Sequence, residues 1–236
     1  MFGMRTRNSR HSLVFTVAAM AAMSPLAIVA PAQAQAQEAS DQQQIVNEAA
    51  ATVTAIRNSP QGKDFDAQLA NARAVMIAPS LVKAGFIIGG EGGVGVLLAR
   101  GSNGWTGPVF YDIAKGGIGL QAGVQVSETI FVVRTERGLQ KLLSDKVTLG
   151  GDVSIAVATV GAGVSGSSTT NMDADIVAFS NAKGLFGGAS LDGTVVVPEE
   201  DWNRAYYGQS MTADNILRGN ASNGKADTLK STLSGR

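Results

Sequence analysis

The chain has 236 residues with 19 basic and 19 acidic side chains, so no net charge holds it on nucleic acid or on an anionic surface. It has no cysteine and one histidine, His11. That excludes disulfides and, beyond the first residues, any Ser-His-Asp or Cys-His nucleophile and any zinc held by His or Cys.

In chain order, Arg5, Arg7 and Arg10 precede an apolar run from Leu13 to Ala30, and "PAQAQAQ" follows. A basic start, an apolar stretch and an A-x-A pattern predict an export signal over residues 1–36, cut after Ala34 or Ala36. Pro25, Pro31 and the A-x-A repeats argue against a membrane anchor. The chain after residue 36 keeps 16 basic against 19 acidic residues. That length fits one domain with a sizeable core.

A helical segment is expected over residues 37–72. Ser40 and Gln43 form a capping-box pattern, and Ile45, Val46, Ala49, Val53 and Ile56 share one helical face over 37–58. Ser59-Pro60 ends that helix, and a shorter one over 64–71 offers Phe65 and Leu69. From Arg73 the apolar period becomes two. "AVMIAP" and "AGFIIGG" read as strands separated by a turn at Lys83-Ala84. "VGVLLAR" and "GPVFYDIA" flank Gly101-Ser102-Asn103-Gly104, a hairpin signal. Residues 116–134 read as one long strand with a bare Gly/Gln outer face. Thr135–Ser144 is helical, "DVSIAVATVGAG" alternates, and a Gly/Ser/Thr-rich loop over 164–172 leads to "DADIVAFS" and "ASLDGTVVV". Helices close the domain at 199–207 and 212–218, and 219–236 reads as a loose polar tail.

The pattern predicts an α+β fold: a β-rich domain over 73–218, mainly antiparallel, Gly-rich and curled or barrel-like, with helices at both ends. Gly90-Glu91-Gly92-Gly93-Val94-Gly95 spells G-x-G-x-x-G. A dinucleotide loop must open a helix, and here only Val96–Arg100 stand before the next turn, so the nucleotide reading is set aside. A tight turn that needs positive φ is the explanation expected instead.

The blocks "AVMIAPSLVKAGFIIGGEGGVGVLLAR", "GWTGPVFYDIAKGGIGLQAGVQ", "LLSDKVTLGGDVSIA" and "DIVAFSNAKGLFGGASLDG", in this order over Ala74–Val197, resemble the SYLF domain family. The resemblance implies a module acting at phosphoinositide-containing membranes and in actin organisation, with bacterial members exported and commonly labelled lipid-binding. It implies no catalytic residues. One feature departs from it. The helix at 37–58 carries Glu38, Asp41 and Glu48 against Arg57, a poor match to anionic lipid.

Candidate ligand contacts are Lys83, Lys115 and Lys183, which could hold a phosphate headgroup if their loops converge, and Trp105 and Tyr111, which could meet lipid as an aromatic pair. Each has a plain alternative: solvated lysines, and aromatics packed in the core. The sequence reading is therefore an exported, non-enzymatic lipid-binding or membrane-associated module of the periplasm or the secreted fraction, without cofactor or metal. Its expected partner is a lipid or membrane surface; nucleic acid is not expected, a homo-oligomer is possible, and export argues against actin. Two alternatives stand beside it: a structural, oligomeric envelope protein, and a hydrolase built on Asp173 and Asp175, which share one strand face.

Overall fold

The computed structural model describes residues 29–85, 88–118, 123–160, 174–184, 191–221 and 224–235. One eight-stranded sheet dominates it, in the order β5-β8-β3-β2-β1-β4-β7-β6. Its strands are β1 (Ala74–Gly85), β2 (Ile88–Gly101), β3 (Gly104–Ile118), β4 (Gly123–Val133), β5 (Val147–Thr148), β6 (Ile155–Val160), β7 (Ile176–Gly184) and β8 (Val195–Pro198). Every neighbouring pair is antiparallel except β6–β7. The sheet curls as a half-barrel, so the α+β expectation holds.

The Ser102-Asn103 turn joins β2 to β3 as the sequence predicts, with Gly101 opposite Gly104. Gly104 takes a φ of 117°, open to glycine and rarely to other residues. Elsewhere the strand boundaries differ. The strand expected from "AVMIAP" runs on as one continuous β1 to Gly85, with no turn at Lys83-Ala84, and "AGFIIGG" begins in the end of β1 and finishes in the start of β2. Pro79 sits inside it and cannot donate to a ladder, and the register slips on both sides of this point. A bulge is where a sheet accepts such a residue. The single long strand expected over 116–134 is two, β3 and β4.

Alternation on these strands builds two cores. On one face Val75, Ile77, Val96, Leu98, Phe110, Ile130 and Val132 pack under helices. Of these, α1 (Val29–Arg57) supplies Val46, Ala49, Val53 and Ile56, α2 (Gly62–Ala70) supplies Phe65 and Leu69, and α6 (Asp227–Leu233) supplies Leu229 and Leu233. Phe65 meets Phe179 of β7 edge-on at 5.5 Å. On the other face Met76, Leu97, Tyr111, Phe131 and Val133 meet Leu149, Val153, Leu191 and Ile216, together with Leu142 of α3 (Glu136–Leu142). Thr135, read in the sequence as the first helical residue, instead caps α3 by accepting from the Gly138 N–H.

Three expectations are corrected here. Helix α1 begins at Val29, upstream of the predicted start at 37, with Pro31 in its first turn, where its missing N–H costs nothing. The tail after Gly219 is not loose throughout: α6 buries Leu229 and Leu233 against the sheet-facing helices. Leu229 and Leu233 stand one helical turn apart on one face, a signal too short to outweigh the polar composition around it. The helix expected at 212–218 is a short turn, α5 (Ala213–Asn215), running into a π-type turn over Ile216–Asn220.

One side chain extends the sheet. Asn203 of α4 (Glu200–Tyr207) accepts from the Phe110 N–H at 2.8 Å and donates to the Phe110 carbonyl at 3.3 Å. Its amide stands in for a strand next to β3, where β8 pairing begins only at Tyr111. Buried backbone groups must be satisfied, and this amide satisfies two.

Candidate binding surface

The glycine motif lies inside β2, with strand pairing on both sides and no helix after Gly95. That closes the dinucleotide reading. The turn explanation is also corrected: none of Gly90, Gly92, Gly93 or Gly95 has a positive φ. The reason is close approach. A Cβ on Gly93 would run into the Ser80 carbonyl oxygen that the β1 bulge pushes toward β2.

The sheet has two unlike halves. Beside α1 and α2 the strands are buried on both faces. Beyond Ser80 of β1, Gly95 of β2, Asp112 of β3 and Thr129 of β4 they continue into a second half, poor in large side chains. There Val82 pairs with Val126, and Ala84 with Val124, on one face. These valines are 44%, 41% and 58% exposed for Val82, Val126 and Val124, the exposed large hydrophobic residues among those described. Small residues surround them, with Gly92 opposite Val82 and Ala114 opposite Gly92.

The opposite face of the same strand ends is polar. Register places Lys115, Glu91, Lys83 and Gln125 in one cross-strand row, in the order + − + and neutral. Partial burial raises the Glu91 carboxyl from its ordinary range, and Lys83 and Lys115 pull it part of the way back. Gln125 is 3% exposed, and its Oε1 has no donor among the described residues. Of the three lysines singled out in the sequence, two therefore share a row around a carboxylate that the sequence reading missed. Lys183 stands at the β7 register position opposite Val126; its side chain lies outside the described residues. The Asn-Gly turn alone could not have found Glu91: its place opposite Lys115 depends on a register shift between Leu97 and Ala99, and its place opposite Lys83 on the pairing with β1.

The aromatic candidates are corrected. Trp105 is 7% exposed and lies under the Arg100 guanidinium, whose carbon is 4.4 Å from the ring centre. Arg100 is itself held by the Leu69 and Ala72 carbonyls at the end of α2. Tyr111 is fully buried and donates its hydroxyl to the Leu142 carbonyl at 2.8 Å; burial raises its phenol above the usual range. Both rings hold the core together and neither meets solvent.

Asp173 lies outside the described residues. Asp175 is buried, and every oxygen is engaged. Oδ1 accepts from Thr135 Oγ1 at 2.6 Å and from Arg137 Nε at 3.2 Å. Oδ2 accepts from Ser154 N at 3.1 Å and Ser154 Oγ at 2.7 Å, and also pairs with Arg137 Nη2. The Arg137 hydrogen bond and those from Thr135 and Ser154 hold its carboxyl well below the usual range, against the opposing effect of burial. This carboxylate ties α3, the Ser154 bend and β7 to one another, and a hydrolase built on it is corrected to a structural knot. Among the described residues no three His, Cys, Asp or Glu side chains gather to hold a metal ion.

A further acidic group stands where the two halves of the sheet meet. The Glu199 carboxyl, just before α4, is raised by burial and by its hydrogen bond and repulsion with Asp112 of β3, with Asp201 adding to the repulsion. Its backbone N–H is held by the Phe110 carbonyl at 2.9 Å.

Comparison with known proteins now bears on this surface. The family profile described as "Ysc84: Las17-binding protein actin regulator" matches residues 114–236. "SH3 domain-containing YSC84-like protein 1" of Bos taurus is 32% identical over 153 residues, 64% of this chain and 45% of that protein. The Homo sapiens protein of the same name is 31% identical over 153 residues, with 44% of its length covered. "LAS seventeen-binding protein 3" of Saccharomyces cerevisiae is 33% identical over 144 residues, 59% of this chain and 31% of that protein. The chain thus spans less than half the length of these relatives. Their names, and the family's description, overturn the partner expected from the sequence: they point to the actin cytoskeleton, where the sequence reading placed a lipid surface and argued actin away. With its profile covering half of the chain and its blocks in order along β1 to β8, the chain belongs to the Ysc84 (SYLF) family.

Proposed function

We propose that this chain is a non-enzymatic interaction module whose partner is a protein of the actin-regulating machinery. The observation that supports it is the outer half of the sheet. It offers an apolar face of Val82, Val124 and Val126 backed by the Lys115–Glu91–Lys83 row. Apolar side chains left in water on a small-residue face gain free energy when a partner covers them, about 25 cal/mol for each Å² removed from solvent.

The test uses the purified chain with actin filaments and, separately, with yeast Las17, read by co-sedimentation and by titration calorimetry. The expected result is binding to at least one of them, weakened at least tenfold by Val82→Ser with Val124→Ser and Val126→Ser. Vesicles containing anionic lipid are the comparison arm. Capture by vesicles with no binding to either protein overturns the reading, as does binding that ignores the triple replacement.

A further inference from the structure

The alternating segment Ala32-Gln33-Ala34-Gln35-Ala36-Gln37 plays no part in the interaction surface. It follows a basic start and an apolar run, and small residues stand one and three positions before each of two bonds, Ala34–Gln35 and Ala36–Gln37. An exporting endopeptidase that accepts only small side chains at those two positions reads this pattern. We propose that one of these bonds is hydrolysed and that the glutamine so exposed then closes into a pyroglutamyl ring.

The chemistry balances without any oxidant or reductant. One water adds across the peptide bond, leaving a carboxylate on the alanine and an amine on the glutamine. That amine attacks the glutamine's own side-chain Cδ. The five-membered lactam forms, and the amide nitrogen leaves as ammonia. Because alanine and glutamine alternate, either cut exposes glutamine, so the choice of bond does not alter the product.

Helix α1 runs unbroken from Val29 to Arg57, so both bonds lie in its amino-terminal part. The described packing of α1 begins further on, with Gln42 and Val46 buried and Gln43 donating to the Lys225 carbonyl at 3.0 Å. A cut at either bond keeps every residue for which a contact is described. It also places a new end on the positive pole of the helix dipole, where an ammonium is disfavoured. Ring closure removes that charge, as amino-terminal acetylation does.

The test expresses the full chain in a host with a secretion pathway and takes the product from outside the cytoplasm. Intact mass is expected to show a chain starting at residue 35 or 37 and lighter by one ammonia. Stepwise amino-terminal degradation is expected to fail until a pyroglutamyl aminopeptidase is added. Ala34→Arg with Ala36→Arg, upstream of the described packing, is expected to leave the chain uncut. An uncut wild-type chain, a cut elsewhere, or cleavage of the double variant at these bonds overturns the proposal. A free glutamine amine overturns the ring closure. None of these outcomes depends on binding to actin or Las17.

Discussion

The inner and outer halves of strands β1 to β4 are made of the same backbone and answer to different constraints. In the inner half consecutive residues are apolar: Val75, Met76 and Ile77 in β1, Val96, Leu97 and Leu98 in β2, Ile130, Phe131 and Val132 in β4. A strand buried on both faces must read this way. In the outer half the same strands carry glycine, alanine, lysine and glutamine, with three exposed valines. Packing accounts for Leu81, Ile113 and Gln125 there, which are buried, and does not account for Val82, Val124 and Val126, which stay exposed. The inner half specifies the fold, and the exposed valines of the outer half are what packing leaves unexplained.

Substitutions on the two halves separate them most widely. Phe131→Ala removes a fully buried ring from the second core and is expected to lower stability by about 3–5 kcal/mol, whereas Val124→Ala on the outer half should stay within about 0.5 kcal/mol. Urea unfolding of both variants checks this. A large loss at Val124 would mean that the outer half is itself core.

Asp175→Asn comes next, because it leaves Arg137, Thr135 and Ser154 facing an amide that cannot accept from all of them. About 3 kcal/mol is expected, and the loss should depend on pH. The folded-state carboxyl is depressed, so its stabilisation is present above the unfolded carboxylate range, near pH 4, and is lost as pH falls through and below it. Wild type and variant should therefore converge in strong acid, and a gap that stays constant with pH would remove the charge from the explanation.

Gly93→Ala tests the boundary between the halves. Its Cβ meets the Ser80 carbonyl of the bulge, and crowding against backbone is expected to cost about 1–3 kcal/mol. Gly90→Ala, whose nearest neighbour would be 3.6 Å away, should cost less than half as much. Equal effects would show that close approach to the Ser80 carbonyl is not what sets Gly93 apart.

Much of the inner half was legible in the sequence because its signals are local. The residues of the Asn-Gly turn, and those of the α1 stripe, lie within a few positions of one another. The outer half was not, for a physical reason. Whether Lys83 sits in a turn or in a strand depends on the bulge at Pro79, and which carboxylate faces it depends on the register that bulge creates. Trp105 and Tyr111 were ambiguous for the same reason: an aromatic ring suits an interface and a core equally until the covering element is known. Here those elements are the Arg100 guanidinium and α3, one brought from across a hairpin and the other from 31 residues away. Asp175 pointed toward chemistry on composition alone, and only its partners, 21 to 40 residues distant, showed it to be structural.

The smallest expected effect has the opposite sign. Glu199 meets Asp112 at the seam between the halves, and its folded-state carboxyl is raised. The folded chain therefore holds a proton that the unfolded chain releases, and stability falls as pH rises from the ordinary carboxylate range through the folded value. At neutral pH Glu199→Gln removes the repulsion and keeps a hydrogen-bonding group, so the variant should be more stable than wild type. Partial exposure to water limits the gain to about 1 kcal/mol or less. The advantage should shrink as the pH is lowered toward 4, where wild-type Glu199 is itself protonated. Thermal unfolding of the two proteins across that range reads the difference directly. A variant less stable than wild type at pH 7 would show that the carboxylate at this seam anchors α4 to β3, and that repulsion from Asp112 is not what governs it.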